Sequence, residues 1–228
     1  MTNNVFLIVF LFLFLADSVL HLAACWMQNE KLQSLSKPLL MLLLSTVVIL
    51  KAGGRAGAYI AIPLTFGMIG DILLLKPEGK RFLLGAGSFL VEHLLWIFIY
   101  IKAGAFAAVP MWFIAAGSAV YVAALVILFI AIGKPKGAMG AGILLYGAIL
   151  CALHFTSIAV FFQRQRPGFH LAFPLFLAGS SLFLLSDCLL GYSLCKSRFP
   201  KSDFFVMLTY IAAQLLIAWA TLCLGVGI

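Results

Sequence analysis

Charge is what this sequence has least of: Asp, Glu, Lys and Arg together make up 10% of 228 residues, against about a quarter in an ordinary globular chain. A soluble domain of this size must cover its outside with polar groups. A chain that is 64% hydrophobic, with a mean hydropathy of +1.17, does not contain them. Cysteine is sparse too: Cys25, Cys151, Cys188, Cys195 and Cys223 are odd in number, form no CxxC pair and lie in or beside apolar runs, so they read as small buried hydrophobes. These shortages exclude a secreted disulfide scaffold, a disordered chain, a nucleic-acid-binding module and an ordinary cytosolic enzyme. The motifs of common hydrolases are missing as well. There is no HExxH or HxxxH for a metal, the four histidines are scattered singly, and no GxSxG elbow is present.

What is present is apolar sequence in long runs. About 20 apolar residues are needed to cross a hydrocarbon core of about 30 Å. Eight segments are expected to do so: 5–26, 38–50, 57–75, 82–101, 106–132, 138–162, 171–195 and 204–227. Gly, Pro and charge mark the breaks, as in Lys51–Arg55, Lys76–Arg81, Lys134–Lys136 and Arg164–Pro167. The connections are short, so neighbouring helices should run antiparallel. The expected architecture is an all-α, polytopic membrane protein, one domain over 1–228. Leu22-Ala23-Ala24-Cys25 resembles a lipoprotein cleavage box, yet no Lys or Arg precedes it and Asp17 and His21 interrupt the run, so this segment is read as the first helix.

The net charge of +8 is spread between the runs, the pattern of membrane-flanking loops and not of a nucleic-acid surface. Ten basic residues (Lys31, Lys37, Lys76, Lys80, Arg81, Lys134, Lys136, Lys196, Arg198, Lys201) fall in loops 1–2, 3–4, 5–6 and 7–8, and five (Lys51, Arg55, Lys102, Arg164, Arg166) in the others. The bias puts the first set in the cytoplasm and both termini on the other side.

A charged side chain near mid-bilayer costs about 2.5–3.5 kcal/mol on insertion scales. Asp17, Asp71, Glu92 and Asp187 therefore need a reason, and His21, His93, His154, Tyr146, Tyr210 and Gln214 accompany them. Counted along the expected helices, most of these lie in the leaflet half bordered by the more basic loops, which predicts a one-sided pocket. The second segment, 13 residues or about 20 Å of helix, is too short to cross, so it should start below headgroup level with Pro38 in its first turn. That places Lys37 where a phosphate or a carboxylate would suit it. A faint repeat relates Gly67–Leu74 to Phe183–Leu190, each with a small residue, Asp, one residue and Leu-Leu. It would let Asp71 and Asp187 face each other at similar depth.

Structural readings stand beside these. Asp17 and His21, one turn apart, can satisfy each other. His154 and Tyr146 read as helix-packing groups, and Glu92 as a partner of His93, of a loop cation or of nothing essential. Asp71 and Asp187 resist such a reading, because no cation but Lys37 lies deep enough to neutralise them. Two carboxyls in a low-dielectric pocket provide a proton donor beside an acceptor, which suits a reaction through an oxocarbenium-like cation. Ester or amide hydrolysis would ask for a nucleophile and oxyanion donors instead.

Lys37-Pro38-Leu39, Gly70-Asp71-Ile72-Leu73-Leu74, Phe82…Gly85…Phe89…His93, Gly179…Ser186-Asp187 and Tyr210…Ala213-Gln214 occur in this order. Together they resemble the YhhN-like family of eight-span membrane lysoplasmalogenases. Trp96 departs from the pattern, standing near where a tyrosine is expected. The resemblance implies hydrolysis of the vinyl-ether bond of a lysoplasmalogen, a lysophospholipid taken from the bilayer, to a fatty aldehyde and glycerophospho-ethanolamine or -choline. It implies Asp71 and Asp187 as the acid–base pair, in either order, and Lys37 as the phosphate contact. Tyr210, Gln214 and His93 would orient water or glycerol oxygens, with no cofactor or metal. Two other classes remain open on the sequence: a proton-coupled transporter, since paired acids and faint repeats mark those as well, and a non-catalytic lipid-binding protein.

Overall fold

The computed structural model describes residues 2–76, 78–131, 137–195 and 199–225. Four of the basic residues behind the expected orientation (Lys134, Lys136, Lys196, Arg198) lie outside them. The described residues form eight α-helices and no strand: α1 (Thr2–Trp26), α2 (Glu30–Ala52), α3 (Gly54–Leu73), α4 (Gly79–Lys102), α5 (Met111–Ala131), α6 (Gly137–Ala159), α7 (Phe169–Cys195) and α8 (Ser202–Cys223). A 3-10 turn, Val160–Gln163, prolongs α6. All eight helices are long and apolar enough to cross a bilayer, as in a multi-pass membrane protein. Phe12, Val120 and Ile127, each more than 60% exposed, point outward, where hydrocarbon and not water would meet them.

Sequence neighbours pack as antiparallel pairs, α1 on α2, α2 on α3, α3 on α4 and α7 on α8. Between α2 and α3 the chain reverses at Gly53, whose φ of 69° lies in the region glycine enters without steric penalty. Gly57 keeps the pair close, since a Cβ there would sit 2.6 Å from the Ile49 Cα. α8 occupies the middle of the bundle, touching α7, α1, α2 and α3, while α6 joins α4 to α7. α5 stands at the edge against α6, with no residue of its span buried. The core between these helices is aromatic-rich, with Phe14, Trp96, Tyr100, Phe176 and Phe183 all buried and Tyr100 stacked on Phe176 at 3.7 Å.

Two expected boundaries are corrected. α2 does not begin at Pro38: it starts at Glu30, capped by the Asn29 side chain, which accepts from the Leu32 N–H at 3.2 Å. Its 23 residues span about 35 Å, enough to cross. Pro38 lies inside this helix, where it leaves the Ser34 carbonyl without its usual N–H donor. α5 begins at Met111 and not Phe106, because residues 103–108 form turns around Gly104 (φ 90°) and Pro110 follows.

Candidate functional site

The last turn of α3 carries Asp71, two residues before the helix ends, and the antiparallel α2 brings Lys37 beside it. Lys37 Nζ lies 3.4 Å from Asp71 Oδ1, the one ion pair among the described residues. The second carboxylate oxygen accepts from the Tyr210 hydroxyl of α8 at 2.9 Å. Asp71 is 1% exposed, so both charge-stabilising contacts act in a dry environment. Phe89 of α4 packs edge-on to Tyr210 with ring centroids 5.8 Å apart and presses against Gly70, where a Cβ would come within 2.7 Å of the ring. The lysine thus has a carboxylate partner from a neighbouring helix, from a position within α2 about 10 Å past its first residue.

One helical turn deeper, the same helices repeat this arrangement with a third acid. Gly67 precedes Asp71 by four residues on α3, and Gln214 follows Tyr210 by four on α8. Between them the fully buried Glu92 of α4 accepts from Gln214 Nε2 at 2.7 Å and from the Trp96 indole N–H at 3.4 Å, both on Oε1. The carboxyl lies flat against α3, since a Cβ on Gly67 would stand 2.8 Å from Oε2. Glu92 therefore has neither His93 nor a loop cation as its partner. It lies within electrostatic reach of both Asp71 and Asp187.

Asp187 of α7 is held differently. Its Oδ2 accepts from the Tyr146 hydroxyl of α6 at 2.9 Å, and no cation pairs with it among the described residues. A file of rings connects the donors of the two acids: Tyr210 to Phe183 at 5.6 Å, Phe183 to His93 at 4.4 Å and His93 to Tyr146 at 5.9 Å. The His93 Nδ1 meets the Phe89 carbonyl, which can only accept. The ring proton therefore belongs on Nδ1, and the buried, unpartnered Nε2 of the neutral ring presents a lone pair.

Of the residues expected at the site, Lys37, Asp71 and Tyr210 meet in one group, Gln214 joins Glu92 directly below, and His93 lies between these and Asp187. From the sequence alone Tyr146 reads as a packing group, and Trp96 as a departure from a pattern. The structure makes Tyr146 the hydrogen-bond donor of the half-buried Asp187 and Trp96 a donor of the buried Glu92. The only signal they give in the sequence is a polar atom in mid-helix.

Two further polar groups stand apart. His21 does not pair with Asp17: its Nδ1 meets Ser36 Oγ at 2.7 Å and its Nε2 lies 3.5 Å from Cys25 Sγ, while Asp17 Oδ2 is buried without a partner. His154 bridges α5 and α7, taking the Tyr121 hydroxyl on one nitrogen and reaching Ser181 Oγ at 2.9 Å with the other. Ser181 in turn donates to the Leu177 carbonyl at 2.7 Å, so its proton is committed and the trio serves as a clip between helices. On the outer surface a hollow of about 430 Å³ lies between α1 and α8, lined by Val19, Leu22, Ala23, Trp26, Met27 and Phe204.

Two buried carboxyls and a half-buried one from three helices, served by one lysine and by tyrosine, tryptophan and glutamine donors, define a polytopic membrane protein with an acidic centre inside its bundle. Sequence comparison places it more narrowly. The chain belongs to the YhhN family, whose model matches residues 32–221, a stretch that runs from the start of α2 into the last turn of α8 and contains all these donors and acceptors. No curated protein and no solved structure matches it.

Proposed function

We propose that this protein is an intramembrane hydrolase that cleaves the vinyl-ether bond of lysoplasmalogens, releasing a fatty aldehyde and glycerophospho-ethanolamine or -choline. The observation that carries the reading is the unequal setting of two aspartates, one buried and one half-buried. Asp71 has a cation and a hydroxyl donor, whereas Asp187 has a hydroxyl donor alone. The pairing supports one division of the roles. Asp71, opposite Lys37, is the carboxylate, and Asp187, with no cation to balance it, carries the proton.

The chemistry then balances without an added reagent. Asp187 gives its proton to the outer alkene carbon, and the electron pair of the double bond forms the new C–H bond. The adjoining carbon becomes an oxocarbenium ion, which the Asp71 carboxylate stabilises. Water adds to that carbon and passes one proton to Asp71, giving a hemiacetal. In its collapse the hemiacetal hydroxyl returns a proton to Asp187, and Asp71 protonates the departing glycerol oxygen, which restores both acids. Lys37 is 17% exposed and only loosely held at 3.4 Å, which leaves ammonium hydrogens for a headgroup phosphate. His93 Nε2 is a buried acceptor between the two acids, suited to holding the water.

The test is aldehyde release from lysoplasmalogen by purified protein in micelles. Wild type is expected to turn over, and folded Asp71→Asn and Asp187→Asn to lose about 100-fold or more, the usual range for general acid–base groups. The amide that Asp187→Asn introduces retains an oxygen for Tyr146, so the fold should tolerate that change. Aldehyde release unchanged in both variants sinks the two-acid mechanism, and none from wild type sinks the activity.

A further inference from the structure

The Glu92–Gln214 pair has an unfinished hydrogen-bond inventory. The amide nitrogen of Gln214 donates to Glu92 Oε1, and the amide oxygen is left on the far side. Glu92 Oε2 and Gln214 Oε1 are both buried without a partner, on residues that are each 0% exposed. No cation among the described residues balances Glu92, so by the reasoning applied to Asp187 it keeps its proton, on Oε2, and the pair presents one O–H donor at Glu92 and one acceptor at Gln214. Buried polar atoms left unpaired in this way are rare in native proteins, because each unmade hydrogen bond is costly. The chemistry that satisfies them is an O–H group. The pair lies one helical turn below Asp71 and its Tyr210 donor, next to an acid that the proposed reaction uses.

We propose that Glu92 and Gln214 form a hydroxyl-reading station that binds the free glycerol hydroxyl of a single-chain lipid and thereby selects it over a two-chain lipid. The proposal rests on the hydrolase reading for the identity of that lipid. A lysolipid carries an O–H donor on the carbon next to its ether-bearing carbon, whereas a two-chain lipid carries an ester there, which has none to give. An ester placed at the station could accept from Glu92 but would leave the Gln214 amide oxygen unpaired. A site built to hydrogen-bond a substrate hydroxyl rejects analogues that lack it far more strongly than an apolar pocket rejects a missing methylene.

Binding is measured with a saturated alkyl-ether lysophosphatidylcholine, which has the hydroxyl but no vinyl ether to cleave, and with its 2-deoxy counterpart. The readout is the fluorescence of Trp96, whose indole N–H touches Glu92, taken as the difference between wild type and Trp96→Phe. Wild type should bind the hydroxyl-bearing lipid at least about tenfold more tightly, and folded Glu92→Leu or Gln214→Leu should bind the two within about twofold. Equal binding by wild type overturns the proposal and needs no variant to be stable. It would mean that the station holds water. A hydroxyl preference that persists in either folded variant also overturns it. Hydroxyl-dependent binding without aldehyde release from lysoplasmalogen would sink the hydrolase reading and leave the station as a lysolipid site.

Discussion

Replacing Lys37 by methionine removes the one cation paired with a carboxylate among the described residues, while keeping the length and packing of the side chain. At 3.4 Å and an effective dielectric near 20, the attraction it supplies to Asp71 is about 5 kcal/mol. Part of that offsets the desolvation of both groups, and the 17% exposure of Lys37 screens more of it. A net coupling of about 2–3 kcal/mol is expected. The assay is a double-mutant cycle of Lys37→Met, Asp71→Asn and the double variant, unfolded by denaturant in mixed micelles. Lys37→Met alone should be the least stable of the three, because it strands a buried charge. Adding Asp71→Asn should recover most of the loss, since an amide still accepts from Tyr210 and needs no cation. Additive effects within about 0.5 kcal/mol would refute the reasoning and reduce the pair to a loose surface contact. Aldehyde release gives an independent reading: Lys37→Met should lose activity even at temperatures where it is folded, because Asp71 would then take up a proton and cease to act as the base.

Tyr146→Phe deletes the single donor to Asp187 and should lower the rate of aldehyde release by about tenfold or more while changing stability by about 1–2 kcal/mol. An unchanged rate would separate Asp187 from the chemistry. Gly67→Ala puts a methyl 2.8 Å from Glu92 Oε2 and should destabilise by about 1–3 kcal/mol. Thermal unfolding of Gly67→Ala with Glu92→Ala should show the second change relieving part of the first. If it does not, the carboxyl does not lie against α3 as described.

Helix number and most boundaries are legible because apolar runs and Gly-Pro-charge breaks are read directly from hydropathy. The start of α2 is hidden for the same reason. Glu30–Lys37 is polar enough to pass for loop, and only Asn29 at the cap position marks the true start. The α5 boundary slips because no charge marks the turns after Gly104. At the site, Asp71, Asp187 and Lys37 stand out as charges in apolar surroundings, and the structure adds the Lys37–Asp71 contact. Which acid takes the lysine is not readable, because it depends on α2 and α3 being neighbours while α7 turns toward α6. Glu92 is noticeable but cannot be placed, since its partner lies 122 residues away on a helix whose rotation no periodicity specifies.

The marginal position of α5 divides the chain into parts under different constraints. The donors and acceptors described around the three carboxyls come from α2, α3, α4, α6, α7 and α8. α5 is fastened by the Tyr121–His154 contact and by aromatic packing, Phe113 on Phe155 and Phe162 and Tyr121 on Phe155. A segment attached in this way can drift in sequence with bilayer thickness or lipid type while the interior stays as it is. Exchanging α5 between relatives that live in different membranes should therefore retune where the protein resides and leave its reaction unaltered.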